Sequence, residues 1–177
     1  MTLIKTVPPE AASGEIAEIY AQMHQAMGSV PAIFQMWSAS PAQLRNQWEW
    51  VSYHWTQNAL SPAFLAAVRL MVSVDRECDY CIGMNEGLLV GMFGWSAEQV
   101  AALKADPAQA NLAPHERDLL VFVLAAVRDP HAVKAADLDA LRAQGLSDQA
   151  IFDAVVHGAR MVAGDLVANV FKVERDF

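Results

Sequence analysis

The chain has 177 residues, 54% of them hydrophobic, enough for one domain with a sizeable core. Twenty acidic against twelve basic residues give a formal net charge of −8, which repels a phosphate backbone, so no nucleic-acid partner is expected. The sequence has no long uncharged apolar run for a membrane span, no basic-then-apolar start for a secretory leader, and too few cysteines for a disulfide framework, so the expected compartment is the cytoplasm.

Every periodic segment has a helical period, and no strand-like alternation appears. Pro8 and Pro9 open a first helix with Ile16, Ile19, Tyr20, Met23 and Met27 on one stripe, closed by Gly28. Residues 29–39 read as an apolar connector containing Pro31, Phe34 and Trp37. Ser40 caps a second helix, with Pro41 in its first turn and Leu44, Trp48, Val51 and Trp55 on its buried face. Ser61-Pro62 repeats this start signal before a nearly all-apolar helix from Ala63 to about Val74, which its composition places at the centre of a bundle. Asp75 to Glu77 form a polar break, and the next helix runs from about Cys78 to Val90, ending at Gly91 or Gly94.

Ser96 with Gln99 is a capping box for a short helix that ends before Asp106-Pro107. Pro114 to about Val127 form a second central helix with Leu119, Leu120, Phe122, Val123 and Leu124, stopped by Asp129-Pro130. A polar-faced helix covers roughly 134–143 with Gly145 just past its end. Ser147 caps a last helix from Asp148 to about Val170, with Ile151, Val155, Ala159 and Val162 on one face. The expected fold class is all-α, a bundle of about six to eight helices. No Gly/Ser-rich linker divides it, so residues 1–177 are expected to form a single domain. Charged residues make up 18%, below the roughly 25% usual for a soluble domain, and this shortage predicts a homo-oligomer.

Cys78 and Cys81, in Cys78-Asp79-Tyr80-Cys81, are the only cysteines. After a polar break and before a helical pattern they fall in a first helical turn, where free amide N–H groups and the helix dipole stabilise a thiolate. Sulfurs at this spacing approach within bonding distance, so one thiolate can be resolved by its neighbour. The residues alone leave three readings: a redox couple, half of a metal site, or two small buried hydrophobes. No second C-x-x-C exists, and His24, His54, His115, His131 and His157 are scattered singly, so no metal site and no cofactor are predicted. His54, between Tyr53 and Trp55, and His157, within the last helix, read as packed or surface histidines.

Residues Leu65-Ala66-Ala67-Val68-Arg69-Leu70-Met71-Val72-Ser73-Val74, a short break and then Cys78-Asp79-Tyr80-Cys81 form one recognisable text. Glu116-Arg117-Asp118-Leu119-Leu120, the stop at Arg128-Asp129-Pro130, the stretch Leu138 to Ser147 and a long helix carrying Asn169 form another. Together they resemble the carboxymuconolactone decarboxylase-like family, and more closely its alkylhydroperoxidase D-like, peroxidase-related branch, over about residues 10–175. The resemblance implies an all-helical subunit with the C-x-x-C at the start of a central helix, assembling as a dimer, trimer or hexamer.

The family's peroxidase motif is Glu, eleven residues, Cys-x-x-Cys, three residues, His. Carried over, Cys81 is the attacking thiolate that reduces a hydroperoxide, and Cys78 is the resolving thiol. The glutamate position falls on Ala66 and the histidine position on Asn85, while Tyr80 stands where some relatives have His. Ala66 cannot move a proton. Asn85 can hydrogen-bond, and so can orient a water or the thiolate, but it cannot exchange a proton near neutral pH. Glu77, Glu86 and His54 are the stand-ins weighed for the missing relay, although a carboxylate beside a thiolate also raises its pKa. Phe34, Trp37, Trp48, Trp50, Tyr53 and Trp55 read either as the wall of an apolar pocket near the thiols or as core and subunit interface.

The resemblance implies a thiol-dependent oxidoreductase that reduces an organic hydroperoxide or exchanges disulfides, with a thiol or disulfide reductant as partner. The alternatives are a non-peroxidase member of the same fold, lactone decarboxylase-like or binding a hydrophobic small molecule with vestigial cysteines, and a structural protein that assembles through its apolar helices.

Overall fold

The structure, a computed structural model, describes residues 2–56 and 59–177. Among the described residues the elements are nine α-helices and three single 3-10 turns. They divide into two compact units: residues up to 57 together with Val167–Phe177, and residues 58–166.

The first unit holds α1 (Gly14–Met27), α2 (Ala32–Trp37) and α3 (Pro41–Thr56). Pro8 and Pro9 lead into a 3-10 turn over Pro9–Ala11 rather than into α1 itself. Extended Ala12 and Ser13 and a left-handed Gly14 (φ 55°) separate the two. The connector expected over 29–39 contains α2, which takes the helix count past the expected range. Pro31 explains this start: its carbonyl accepts from Phe34 N at 2.8 Å, and its own missing N–H costs a first turn nothing. Ile19, Tyr20, Met23, Phe34, Leu44 and Trp48 form the core of this unit. Polar tips are satisfied at its edge, where Tyr20 Oη donates to Val7 O (2.9 Å) and Trp48 Nε1 to Gln22 Oε1 (2.7 Å).

The second unit is built on α4 (Pro62–Asp75), followed by α5 (Asp79–Gly91), α6 (Ala97–Ala105), α7 (Pro114–Arg128), α8 (Ala135–Ala143) and the part of α9 (Asp148–Phe171) up to residue 166. α4 is buried on almost every side, from Phe64 through Ser73 except Arg69, as its apolar composition requires. Its most extensive neighbour is α5, then α7. Leu89, Leu103, Leu119, Leu120, Val123 and Ala154 close the core around it. The start of α4 is doubly fixed. Ser61 Oγ accepts from Phe64 N (3.1 Å), while the buried Glu116 carboxylate of α7 accepts from Ser61 N (2.7 Å) and Oγ (2.9 Å). The capping box at Ser96 and Gln99 forms as the spacing predicts, and Ser147 Oγ caps α9 through Ala150 N (3.1 Å).

α9 lies rotated from the expected face. The buried positions up to 166 are Ala150, Ile151, Ala154, His157, Gly158 and Asp165; the expected Val155 and Val162 pack partly buried against the core, whereas Ala159 is exposed. Gly158 explains the rotation. A Cβ there would meet Val123 Cγ1 at 2.8 Å and Val127 Cγ2 at 3.1 Å, so only glycine lets α9 lie this close to α7. Gly158→Ala is therefore expected to destabilise the protein by about 1–3 kcal/mol. Gly87→Ala, inside α5 with nothing within 4 Å of the added Cβ, is expected to stabilise it by about 0.5–1 kcal/mol. Paired denaturant melts check both signs.

Candidate active site

The cysteine pair is placed by a strained turn. α4 stops at Asp75, and Glu77 takes a left-handed φ of 53°, which an L side chain tolerates poorly. That reversal turns Cys78 N back to Ser73 O (3.0 Å) and sets Cys78 at the N-cap of α5. Cys81 follows in the first turn. Both cysteines are buried free thiols, as a C-x-x-C at the start of a central helix leads one to expect.

α9 brings a carboxylate to them. Cys78 Sγ, Cys81 Sγ and one carboxylate oxygen of Asp165 all lie within 4.8 Å of one another, and Asp165 is completely buried. Its Oδ1 lies 3.1 Å from Ser73 Oγ, which also lies 2.7 Å from Arg69 O. Serine has one hydroxyl proton. When that proton goes to the Arg69 carbonyl, Asp165 in its acid form completes the contact by donating to Ser73. The other oxygen, Oδ2, is buried without a hydrogen bond of ordinary geometry.

The electrostatics follow from this enclosure. Burial pushes the Asp165 carboxyl above the usual carboxylate range, while hydrogen bonds from Cys81, Ser73 and Cys78 pull less strongly the other way. The two thiols share a proton. The hydrogen bond from Cys81 holds Cys78 below the ordinary thiol value despite its burial. The same hydrogen bond, then burial and the charge of Asp165, pushes Cys81 upward. The hydrogen bond between the sulfurs therefore stabilises one negative charge on the pair.

A second polar chain runs beside the thiols. Asn85, also buried, donates from Nδ2 to Cys81 O (2.8 Å) and accepts at Oδ1 from Arg69 Nε (2.7 Å). Arg69 Nη1 lies 3.3 Å from Nε2 of the buried His157. Ala66 is fully buried in the apolar packing of α4.

The relay stand-ins weighed in the sequence have other surroundings. Glu77 is exposed on its turn, and Glu86 pairs with Lys104 (2.7 Å). His54 is buried among aromatics of the first unit, with ring centroids 5.1 Å from Trp50 and 5.2 Å from Tyr53. Phe34, Trp48 and Trp55 stack edge-to-face in that unit's packing. An open apolar groove of about 410 Å³, lined by Phe122, Leu138, Ile151, Phe152 and Val155 among others, contains none of the thiol-site residues.

The residues that sequence reasoning passed over are Asp165, Ser73, Arg69 and, as part of this network, His157. Their signal was present as polar residues at helical spacing in apolar helices: Arg69 and Ser73 four apart on α4, His157 and Asp165 eight apart on α9.

Two solved structures share this architecture at full length. One is the alkylhydroperoxidase core of an uncharacterized peroxidase-related protein from Ralstonia eutropha: TM-score 0.83, 20% identity, 99% of this chain and 92% of that one. The chain has the alkylhydroperoxidase D-like fold. The other, an uncharacterized peroxidase-related protein from a Silicibacter species, has a TM-score of 0.83 at 18% identity over 99% of this chain and 92% of that one. A protein of unknown function from Agrobacterium tumefaciens, ascribed to antioxidant defence, aligns with a TM-score of 0.65 and 20% identity over 78% of this chain and 94% of its own. No family model and no curated protein matches the sequence. Among the described residues no helix is long and apolar enough to cross a membrane.

The raised pKa of Asp165 makes a prediction of definite sign. A group that binds its proton more tightly folded than unfolded contributes stability that is full below its unfolded value and lost as pH rises through its folded one. Asp165→Asn removes that loss. Its melting temperature is expected to exceed that of the wild type at neutral pH, and the gain to vanish on acidification below the ordinary aspartate value of 3.8. Thermal melts across pH read this directly.

Proposed function

We propose that this protein is a thiol-dependent oxidoreductase that reduces an organic hydroperoxide with Cys78 and Cys81, using Asp165 as the proton donor and acceptor. The observation that carries the proposal is the buried cluster of two thiols and one carboxylate, all within 4.8 Å. The peroxidase-related names of the structural neighbours agree with it. The motif comparison left the site without a proton carrier, and Asp165 supplies one from a different helix.

The resemblance assigns attack to Cys81 and resolution to Cys78. We adopt the reverse order: Cys78 stands at the N-cap of α5, where free amide N–H groups stabilise a thiolate, and Cys81 hydrogen-bonds to it. The Cys78 thiolate attacks the terminal oxygen of the hydroperoxide, the O–O bond breaks, and Cys78 becomes a sulfenic acid. The departing alkoxide takes the proton of Asp165 and leaves as the alcohol. The Asp165 carboxylate then removes the Cys81 proton, and the Cys81 thiolate attacks the sulfur of Cys78. The disulfide forms and hydroxide leaves as water, carrying the proton from Asp165. An external dithiol returns the pair to its reduced state by exchange. Asn85, bonded to the Cys81 carbonyl, fixes the backbone from which Cys81 approaches.

The test combines thiol counting with trapping of sulfenic acid. The reduced wild type is expected to lose two thiols per chain on treatment with a hydroperoxide, releasing one alcohol. Cys81→Ser is expected to stop at a trappable sulfenic acid on Cys78, whereas Cys78→Ser forms none. Asp165→Asn is expected to slow turnover by about 10²–10⁴-fold, as loss of a general acid–base does. A trappable sulfenic acid in Cys78→Ser would restore the order with Cys81 first. Unchanged thiols in the treated wild type would sink the redox reading and leave a fold whose cysteines are vestigial.

A further inference from the structure

Arg69 is the one charged residue in the buried stretch of α4, one helical turn before Ser73. Among the described residues no carboxylate pairs with it, although Arg45, Lys104, Arg128 and Arg142 all have one. Its partners are neutral: the amide oxygen of Asn85 at 2.7 Å and Nε2 of His157 at 3.3 Å. The second is contested. The same Nε2 lies 3.3 Å from Leu65 O, and one ring nitrogen cannot both accept from a guanidinium and donate to a carbonyl.

Burial without a compensating anion lowers the Arg69 guanidinium to about 10. Holding a cation this way costs free energy that an anion would offset. Arg69 itself is half-buried, while the other residues from Phe64 to Ser73 are fully buried.

We propose that Arg69 binds a carboxylate on the molecule that the thiols act on, so that the substrate class is an organic hydroperoxide bearing a carboxylate. The proposal rests on the thiol reading above. Three features select this class. Arg69 is two hydrogen bonds from the Cys81 backbone, through Asn85, so a group held there lies beside the thiols' helix. Asn85 holds the guanidinium through Nε, and a guanidinium is a planar fork that matches the two oxygens of a carboxylate. A single guanidinium neutralises the one negative charge of a carboxylate, whereas a phosphate dianion would leave an excess charge.

The test separates the anion site from the chemistry. Calorimetric titration of the reduced wild type with octanoate and with octanamide compares a carboxylate with its neutral isostere and involves no peroxide. Octanoate is expected to bind about tenfold more tightly or better, as a charge-assisted pair requires. Arg69→Gln is expected to abolish the preference. Arg69→Lys, which keeps the charge and loses the planar fork, is expected to retain part of it. Equal affinities in the wild type, or the full preference surviving in Arg69→Gln, would overturn the proposal. If Arg69→Gln does not fold, an undiminished preference in Arg69→Lys overturns the fork geometry on which the class was chosen. Thiol loss with tert-butyl hydroperoxide, which has no carboxylate, is measured alongside. Its failure counts against the thiol chemistry, while the octanoate comparison still decides the role of Arg69.

Discussion

A carboxylate enclosed with two thiols sets the terms for the second unit of this protein. Asp165 is completely buried, and water is not there to solvate its charge. The protein offers it Ser73 on one oxygen and sulfur on the other side, a poorer environment than water. The group answers by binding its proton more tightly than an exposed aspartate does. The same enclosure makes the sulfurs share a proton and separates their affinities for it.

Everything around the cluster serves to bring three helices together at short range. α4 is apolar enough to be surrounded, and Ser73 is the polar residue it buries for Asp165. The left-handed Glu77 reverses the chain so that α5 begins with Cys78 beside the end of α4. Gly158 lets α9 approach α7 closely, and that approach fixes which side of α9 faces inward. The inward side carries His157 and Asp165. A single backbone property, the missing Cβ at 158, thus bears on where the acid of the site ends up.

The likeness to solved structures fixes the fold and stops there. At 18–20% identity the path of the helices is shared, while the residues that would move protons need not be. Where the peroxidase motif that the sequence resembles has Glu and His, this chain has Ala66 and Asn85, and both suit their places. Ala66 fills apolar packing, and Asn85 bridges Arg69 to the Cys81 carbonyl. The acid–base role we propose falls to Asp165, a residue that a motif centred on the cysteines does not contain.

Local signals in the sequence determined the helical class, most helix limits and the cysteine position. Caps and breakers act over a few residues, so Ser61-Pro62, the Ser96/Gln99 box, Gly28 and Asp129-Pro130 were legible without knowing what packs where. The short helix at 32–37 escaped, because its start depends on burial of Phe34 and Met36 as much as on Pro31. The inward face of α9 also escaped. Apolarity pointed to Ile151, Val155, Ala159 and Val162; Ile151 is buried and the two valines pack at the core's edge, but the packing at Gly158 also turns His157 and Asp165 inward and leaves Ala159 exposed. Asp165 lies 84 residues beyond Cys81 in the chain, and no local pattern connects them. The thiols could be found by reading along the chain, but their proton partner became visible only when α4, α5 and α9 were packed together, because an acid's desolvation depends on what surrounds it in space.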